Sequence, residues 1–202
     1  MNTTHSSIAK FLEKLTMPEH LFSREEILSP SCPVPLTNGL YAWYFQNLPE
    51  TLPTETATEH NRKKLLYVGI SPDKKGKPQS KQSLKHRIKY HFQGNAEGST
   101  LRRTLGIILT PESGFPLRRV GSGKRMTFTH KGEKWLDMWM SQNAFVTWIE
   151  YDEPWNIEEE IFRALFLPLN IKGNSHNLFC SKLKQMRKEA LNKARELPIF
   201  NE

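Results

Sequence analysis

Two short hydrophobic runs in the first half of the chain have the character of β-strands. One extends from Gly39 to Phe45 (GLYAWYF) and the other from Leu65 to Ile70 (LLYVGI), and each holds a tyrosine close to a glycine. Aromatic and branched residues favour strands, and runs of this length are short for helices. We expect the two strands to pair as a hairpin, while the long polar segment 46–64 between them passes over the surface.

Hydrophobic positions at helical spacing predict helices around these strands. A short amphipathic helix is predicted at residues 6–15, and a second helix begins at Ser83. Further helices are predicted at Thr100–Leu109, at Glu133–Gln142, from Pro154 onward and at Ser181–Glu196. Two more strands are predicted at Arg125–Thr129 and Ala144–Tyr151.

The apolar positions of three helices predict which side of each helix faces the core. In the helix at 133–142 the expected inward residues are Trp135, Met138 and Trp139. In the helix from Pro154 they are Ile157, Ile161 and Leu165. The last helix is polar and rich in lysine, with a thin stripe of Leu183, Met186, Ala190 and Leu197. A stripe this thin indicates an addition to the fold rather than a core element.

Positive charge is concentrated in the middle of the chain. The formal net charge is +8, and residues 62–134 hold 18 Lys and Arg against 4 Asp and Glu, whereas residues 143–160 hold no Lys or Arg. Such a patch attracts polyanions, of which nucleic acid is the commonest. The alternative is a solvated lysine-rich face that serves solubility. The cationic segment 72–82 is expected to be a flexible loop near the bound partner.

The length and hydropathy of the chain restrict its class. Its 202 residues suit one domain with terminal additions, and no window is long and apolar enough to cross a bilayer. The N-terminus lacks the features of a secretory signal. We therefore expect a cytoplasmic protein with no membrane partner.

The predicted helices and strands carry several residues of types that are common in active sites. Arg87 and His91 stand four positions apart, so they share one face of the helix from Ser83. Three consecutive glutamates, 158–160, begin a later helix. A tyrosine has a pKa of about 10, so Tyr41 or Tyr67 could act as a base near neutrality only if cations or a metal-bound water favoured its ionised form. The basic surroundings are expected to supply that condition.

The chain resembles the GIY-YIG endonucleases in an ordered set of motifs. They are Gly39-Leu40-Tyr41, Tyr67-Val68-Gly69, Arg87 with His91, Glu158, and Asn170. The spacing after the glutamate agrees with the family pattern as well, since an apolar pair follows at Ile161-Phe162 and Asn170 stands twelve positions on.

The resemblance implies an α+β fold with a small central sheet of three strands, mixed or antiparallel, surrounded by helices. It covers residues 37–174, which would form the nuclease domain. Residues 1–36 would be an N-terminal helical extension, and residues 175–202 a C-terminal helix packed on the domain. The family's activity implies hydrolysis of phosphodiester bonds in DNA with one divalent metal ion, Mg²⁺ or Mn²⁺.

The resemblance also implies a role for each matching residue. Glu158 would bind the metal ion, Tyr41 would take a proton from the attacking water, and Arg87 would contact the scissile phosphate. Tyr67 and His91 would orient that water or pass its proton on. The residues expected to support the site structurally are Gly39, Gly69 and Asn170.

Seven cations are candidates for contacts with the nucleic-acid backbone, which position a protein without specifying sequence. They are Lys85, Arg102, Arg103, Arg118, Arg119, Lys124 and Arg125.

Several alternatives stay open at the level of the sequence. Glu159 adjoins Glu158 and competes with it as the metal ligand. The DNA substrate could be duplex, single-stranded or branched. The biological role could be restriction and defence, or it could be repair and recombination. The protein could be a monomer or a homodimer. A different hypothesis is a non-catalytic nucleic-acid-binding module that retains the fold.

Overall fold

A computed structural model describes residues 2–72 and 82–201, with side chains described from residue 8 onward. The strands in this part of the chain are β1 (Gly39–Phe45), β2 (Glu59–His60), β3 (Lys63–Ser71), β4 (Arg118–Val120), β5 (Arg125–Thr127) and β6 (Ala144–Glu150). Residues 73–81, most of the predicted cationic loop, lie outside the described residues.

The helices surround the strands on both sides. They are α1 (Asn2–Thr16), α2 (Arg24–Leu28), α3 (Leu84–Gln93), α4 (Thr100–Ile108), α5 (Thr110–Ser113), α6 (Thr129–Asn143), α7 (Glu158–Ala164) and α8 (Leu178–Glu196). A short 3₁₀ turn at Pro154–Asn156 leads into α7. Among the described helices, no helix is long and apolar enough to span a membrane.

The central sheet has the strand order β2-β3-β1-β6, and every pair is antiparallel. Its three long strands are the predicted ones, and the two-residue β2 adds a short edge within the segment that joins β1 to β3. Strands β4 and β5 form a separate two-stranded hairpin. The α+β class and the predicted pairing of the first two strands are confirmed.

Strand β1 lies in the centre of the sheet, and all seven of its residues are buried. Successive side chains of a strand point to opposite faces. Tyr41, Trp43 and Phe45 therefore pack into a cluster with residues of α3 and α6, whereas the alternate residues pack against α1 and α7. Burial on both faces explains why this strand is apolar throughout instead of alternating.

The pairing of β1 with β3 sets the positions of the two motif tyrosines. Tyr41 lies opposite Gly69, and Trp43 lies opposite Tyr67. Because residues two apart share a face, Tyr41 and Tyr67 are diagonal neighbours on the same side of the sheet. The register then shifts beyond Trp43 and passes over Leu66, which is a β-bulge.

The inner face predicted for α6 is partly wrong. Met138 is 61% exposed, whereas the neighbouring Met140 is fully buried. The side that faces the core holds Gly132, Leu136, Trp139, Met140 and Asn143. Gly132 lets Phe115 and Phe128 approach the helix closely, which turns this side inward. In contrast, the predicted inner residues of the Pro154 segment and α7 are all buried, as expected.

Both chain ends pack on the central body. In the N-terminal segment, α1 contacts β6 and α7, while Phe22 exchanges two backbone hydrogen bonds of 2.9 Å with Val146 at the sheet edge. At the other end, α8 contacts α4 and β4, with Leu183 fully buried. Leu197, predicted to complete the stripe of α8, follows the helix and is 39% exposed. The stripe therefore ends before that residue.

Candidate active site

The two motif tyrosines form the floor of the site. Tyr41 is 1% exposed and Tyr67 is 8% exposed, and their ring centroids are 6.4 Å apart. Both rings belong to the face of the sheet that α3 covers. Aromatic strand residues with buried rings and hydroxyls near other polar groups are common in cores, so the neighbours decide what these phenols can do.

The two motif glycines make room for the strands and the rings. A Cβ atom at Gly69 would overlap the ring and hydroxyl of Tyr41. At Gly39 a Cβ atom would overlap the carbonyl of Ile149 and press on Leu84. Gly69 therefore allows the Tyr41 ring to lie across β3, and Gly39 allows β1 to approach β6 and α3.

Helix α3 brings a guanidinium and an imidazole to the Tyr41 hydroxyl. Ser83 caps the start of the helix, since its hydroxyl accepts a hydrogen bond from the His86 backbone N–H. The Arg87 Nε–H donates to the Tyr41 hydroxyl at 3.4 Å, and its Nη1 donates to the Gly98 carbonyl at 3.2 Å. His91 Nε2 lies 3.0 Å from the same hydroxyl. Residues 87 and 91 thus meet at one phenolic oxygen.

Ser99 determines which nitrogen of His91 carries the proton. The Ser99 hydroxyl oxygen accepts from the Arg102 backbone N–H at 3.1 Å and lies 2.7 Å from His91 Nδ1. A buried hydroxyl proton needs an acceptor, and His91 Nδ1 is the acceptor within reach. Ser99 therefore donates to Nδ1, so the neutral ring carries its proton on Nε2 and donates it to Tyr41.

The Tyr41 oxygen consequently receives several hydrogen bonds. His91 and Arg87 donate to it, and Tyr67 acts on it as a third donor that lowers the pKa of Tyr41. A neutral phenol has two lone pairs and one proton of its own, whereas a phenolate accepts from several donors. The surroundings of this oxygen therefore match the ionised form of Tyr41 better than the neutral form.

Burial acts in the opposite direction on both phenols. Burial raises the pKa of Tyr41 above its ordinary value and outweighs the effect of the Arg87 guanidinium and the donors, while Glu158 raises it further. Burial is also the main cause of the raised pKa of Tyr67. The expectation that basic surroundings alone favour ionisation is therefore wrong, since without another cation both phenols are neutral at pH 7.

His91 is held in the neutral state. It is fully buried, and burial lowers the pKa of its ring well below the ordinary value, with further lowering by the positive charges of Arg87 and Arg102. A neutral ring with a fixed tautomer can orient the Tyr41 oxygen but has no direct access to solvent. Any action of His91 on a substrate must therefore pass through Tyr41.

The carboxylate comes from a distant helix. Glu158, the first residue of α7, lines a cavity of about 140 Å³ together with Tyr41, Tyr67 and Arg87. Glu159 instead is exposed and accepts a hydrogen bond of 2.6 Å from Arg163, four positions on. The family spacing favoured Glu158, with Glu159 as the alternative, and of the two only Glu158 lines the cavity beside the phenols.

Asn170 joins the segment after α7 to the edge of β3. Its side-chain amide donates to the Val68 carbonyl at 2.7 Å and its side-chain oxygen accepts from the Val68 N–H at 2.9 Å. The Leu169 N–H donates to the Leu66 carbonyl at 3.1 Å. Asn170 and Leu169 thereby pair with the backbone of β3 much as a neighbouring strand would, next to Tyr67.

Glu158 is the side chain suited to hold a metal ion in this cavity. Among the described residues, no group of three or more His, Cys, Asp or Glu side chains could hold a metal ion. Mg²⁺ often binds through one or two carboxylates, keeps several waters and takes its other ligands from substrate phosphates. One carboxylate beside an open cavity therefore fits such an ion, with the remaining ligands supplied by water and substrate.

Arg102 is a correction to the predicted nucleic-acid contacts. Its guanidinium is fully buried and forms ion pairs with Glu133 at 2.7 Å and Asp137 at 2.6 Å. It also donates to the carbonyls of His91 and Phe92 in the last turn of α3. Because a buried and saturated guanidinium cannot reach a DNA backbone, Arg102 holds α3, α4 and α6 together behind the site.

The other candidate cations differ in accessibility. Lys124 and Arg125 are exposed at the turn of the β4–β5 hairpin, and Lys85 is half-buried on α3. Arg103 pairs with Glu97 at 3.1 Å.

Two arginines of β4 hold the C-terminal end of the chain. Arg118 donates to the Pro198 carbonyl at 3.1 Å and Arg119 donates to the Leu197 carbonyl at 2.8 Å. These hydrogen bonds use part of each guanidinium for a structural contact. The candidates that remain most accessible to a ligand are therefore the two residues of the hairpin turn.

Ser99 and Lys172 were missed by the sequence reasoning. Ser99 caps α4, and a serine before a predicted helix was a usable signal for a cap but not for its contact with His91. Lys172 lines the cavity beside Glu158, and its position just after Asn170 gave no sign of that.

Comparison with known families gives one match. A family model described as the GIY-YIG catalytic domain matches residues 39–189, well over half of the chain. No curated protein and no solved structure matches the chain.

Proposed function

Because this chain belongs to the GIY-YIG family, whose catalytic domain is of nuclease type and acts on nucleic acid, we propose that it is a metal-dependent DNA endonuclease. The observation that carries the proposal is the convergence of the Tyr41 phenol, the Arg87 guanidinium and the Glu158 carboxylate on one cavity. These groups come from β1, α3 and α7, so the fold and not the local sequence unites them.

In this proposal Glu158 holds one divalent ion, Mg²⁺ or Mn²⁺. GIY-YIG nucleases generally depend on a divalent metal, and carboxylate oxygen is the ligand type that such hard cations prefer. When bound, the ion supplies positive charge that polarises the phosphate, stabilises the leaving oxygen and favours the ionised phenol beside it.

Arg87 would bind the scissile phosphate. Its Nε and Nη1 groups hold it between the Tyr41 hydroxyl and the Gly98 carbonyl, so the guanidinium is oriented before substrate arrives. Arginine presents planar paired donors to phosphate oxygens, which lysine cannot do. The positive charge would stabilise the extra negative charge of the pentacovalent phosphorus.

Tyr41 would act as the general base toward the attacking water. Donors from His91, Arg87 and Tyr67 already point at its oxygen, so the phenolate would form with its hydrogen bonds in place. The phenolic proton would first pass to a water molecule in the cavity that Tyr41 lines, because the protein groups that contact this oxygen are donors. His91, fixed by Ser99, would be a positioning residue in this step.

The remaining predicted residues would support this arrangement. Asn170 would hold the Glu158 segment against β3, and Gly39 and Gly69 would permit the close packing of strands and rings. We further propose residues 37–174 as the catalytic domain, with 1–36 and 175–202 as additions to it. Lys124 and Arg125 would contact the backbone of the bound DNA.

The proposal is tested with purified protein and a panel of plasmid, single-stranded and branched DNAs. We expect nicks or cuts in Mg²⁺ or Mn²⁺ and none in EDTA. Glu158→Ala should abolish cleavage while leaving DNA binding nearly intact. The matched control is Glu159→Ala, on the same helix turn but exposed and paired with Arg163, which should cleave like the unaltered protein.

Two outcomes would overturn the proposal. Cleavage that survives Glu158→Ala would reject the assigned site. Salt-sensitive binding without cleavage of any substrate in the panel would instead support a non-catalytic nucleic-acid-binding module.

A further inference from the structure

A second cavity adjoins the catalytic one. It has a volume of about 360 Å³ and lies between α8, α4 and the segment that follows Asn170. The two cavities share three lining residues, Thr100, Ile171 and Lys172. A ligand that fills the catalytic cavity can therefore continue into the second one without leaving the protein surface.

The second cavity is strongly cationic. It is lined by Lys172, Lys184, Arg187, Lys188 and Arg195, and among the described residues no acidic side chain lines it. None of these five side chains takes part in the ion pairs found in the described part of the chain. We name this cavity, defined by these five cations, the α8 cleft.

Four of the six cations of α8 lie on one side of the helix. Positions 184, 187, 188 and 195 recur at helical spacing and share one face, on which Leu191 also lies. The acidic residues of the helix, Glu189 and Glu196, project from a different side at that periodicity, and Glu189 accepts from Gln185 at 2.8 Å. The other two cations, Lys182 and Lys193, share that side with the glutamates, so only the side with the four cations carries positive charge alone and attracts anions.

Arg187 is anchored in the cleft close to the catalytic residues. Its Nη1 donates to the Thr104 hydroxyl at 2.8 Å, and the side chain is half-buried. Burial lowers the pKa of Arg187 and Arg103 lowers it further, while the nearby Tyr67 would oppose this lowering in its ionised form. A partly buried cation with a cationic neighbour is stabilised by an anionic ligand.

The dimensions of the charged face suit a polyanion better than a single small anion. Residues 184 to 195 span about 16 Å at a rise of about 1.5 Å per residue. The phosphates of one strand of duplex DNA rise about 3.4 Å each along the axis while the backbone winds round it, so a face of this length is long enough to contact more than one phosphate of the same strand. Ile171 and Leu191 contribute apolar surface to the same cavity, which suits the sugar rings between phosphates.

We propose that the α8 cleft binds the backbone of the nucleic-acid strand whose scissile phosphate lies between Arg87 and Glu158. The inference rests on the proposed function, because the strand continues into the cleft only if its scissile phosphate lies between Arg87 and Glu158. Helix α8 contributes no residue to the motif set. In this proposal it binds the substrate strand on one side of the cleaved bond. The cleft contacts phosphates, so it contributes affinity and position but no base sequence.

The test measures binding in EDTA, so that binding is separated from cleavage. The probe is a fluorescently labelled forked DNA, which presents duplex and single-stranded backbone together. The cleft variant is Lys184→Gln with Lys188→Gln. The matched control is Lys182→Gln with Lys193→Gln, which removes the same charge from the opposite side of the same helix, where both residues are also exposed.

We expect the cleft variant to bind on the order of 10-fold more weakly. The slope of log K against log salt should fall by about 1 for each phosphate that the variant no longer binds. The control variant should bind like the unaltered protein. Equal effects of the two variants, or no binding of the forked DNA by the unaltered protein, would overturn the proposal.

A second measurement uses the unaltered protein and does not depend on the folding of any variant. Lysine acetylation with and without the forked DNA, read by mass spectrometry, should show protection of Lys184 and Lys188 but not of Lys182 and Lys193. Uniform protection or none would contradict the cleft. Failure of the nuclease proposal looks different, because the cleft would then bind DNA while Mg²⁺ produced no cleavage.

Discussion

Strand β1 carries two buried tyrosines, three positions apart, that face opposite sides of the sheet. Tyr41 and Tyr44 are both almost fully buried, and burial raises the pKa of each phenol. Their hydrogen bonds differ in direction. The Tyr44 hydroxyl donates to the Leu15 carbonyl at the end of α1, whereas the Tyr41 hydroxyl receives bonds from His91 and Arg87.

The difference shows that burial alone does not make a buried phenol a catalytic candidate. A carbonyl acceptor keeps the proton on Tyr44, because only the neutral phenol can donate to it. Donors around Tyr41 favour the loss of its proton, although burial opposes that loss. Tyr41 also borders a cavity with Glu158, while Tyr44 lies in a cluster of apolar residues from α1 and α7.

The largest expected effect compares the two phenols directly. Tyr41→Phe should lower the rate of DNA cleavage by about 10³-fold, since a positioned general base contributes on the order of 10² to 10⁴. Tyr44→Phe should leave the rate within about 2-fold, because surroundings of this kind contribute to stability rather than catalysis. Single-turnover cleavage with both proteins in Mg²⁺ measures the two rates. Equal losses would remove the distinction between the faces.

A smaller loss is expected from Arg87→Lys. The substitution keeps the charge but removes the planar donor pair and the Nε–H bond to Tyr41, so we expect about 100-fold slower cleavage. Arg163→Lys is the control, since Arg163 is an exposed arginine paired with Glu159 outside the cavity. Full activity of the Arg87 variant would show that a simple positive charge is sufficient.

The buried His91 predicts a pH dependence of stability. Its pKa is well below the ordinary value in the folded protein because of burial, so the unfolded chain binds a proton at higher pH than the folded chain. Stability is therefore complete above about pH 6.5 and falls with further acidification, by at most about 1.4 kcal/mol per pH unit for this group.

Denaturant unfolding across the acidic range measures this dependence. His91→Gln should reduce the slope of stability against pH. The control is His86→Gln, on the exposed side of the same helix, which should leave that slope unchanged. An unchanged slope in the His91 variant would contradict a neutral buried ring.

The smallest expected effect concerns the tautomer of His91. Ser99→Ala removes the hydroxyl that donates to Nδ1, so the ring is free to turn its proton away from Tyr41, and we expect cleavage slower on the order of 10-fold. Ser99→Thr retains the hydroxyl and should recover most of the rate. If alanine and threonine behave alike while both proteins stay folded, Ser99 only caps α4.

Much of this architecture could be predicted from local patterns. The strands β1, β3 and β6 follow from apolar runs, and α3 follows from its cap and apolar stripe. The face of α6 could not be predicted in the same way, because its core side includes Gly132 and Asn143, which carry no hydrophobic signal. The apolar spacing places Met138 in the core, whereas the side that packs inward includes Gly132, where Phe115 and Phe128 approach the helix.

The site shows a similar limit. The motif residues were recognisable because the order and spacing of the set are specific. Two properties depend on distant partners and could not be predicted: the burial of Arg102 by Glu133 and Asp137, and the contact of Ser99 with His91. The preference for Glu158 over Glu159 came from the family spacing to Asn170, whereas the position of its side chain in the cavity depends on the rotation of α7 after its 3₁₀ turn, which local sequence patterns do not show.

The pH–rate profile of cleavage by the unaltered protein and Tyr41→Phe tests the central claim most directly, namely that a buried phenol surrounded by donors acts as the base. With Mg²⁺ present, we predict that the rate of the unaltered protein rises with pH through the neutral and alkaline range, because a raised pKa limits the ionised fraction of Tyr41. The rate of the Tyr41→Phe protein should be low and nearly independent of pH. Parallel profiles, with the same rise in both proteins, would contradict the account.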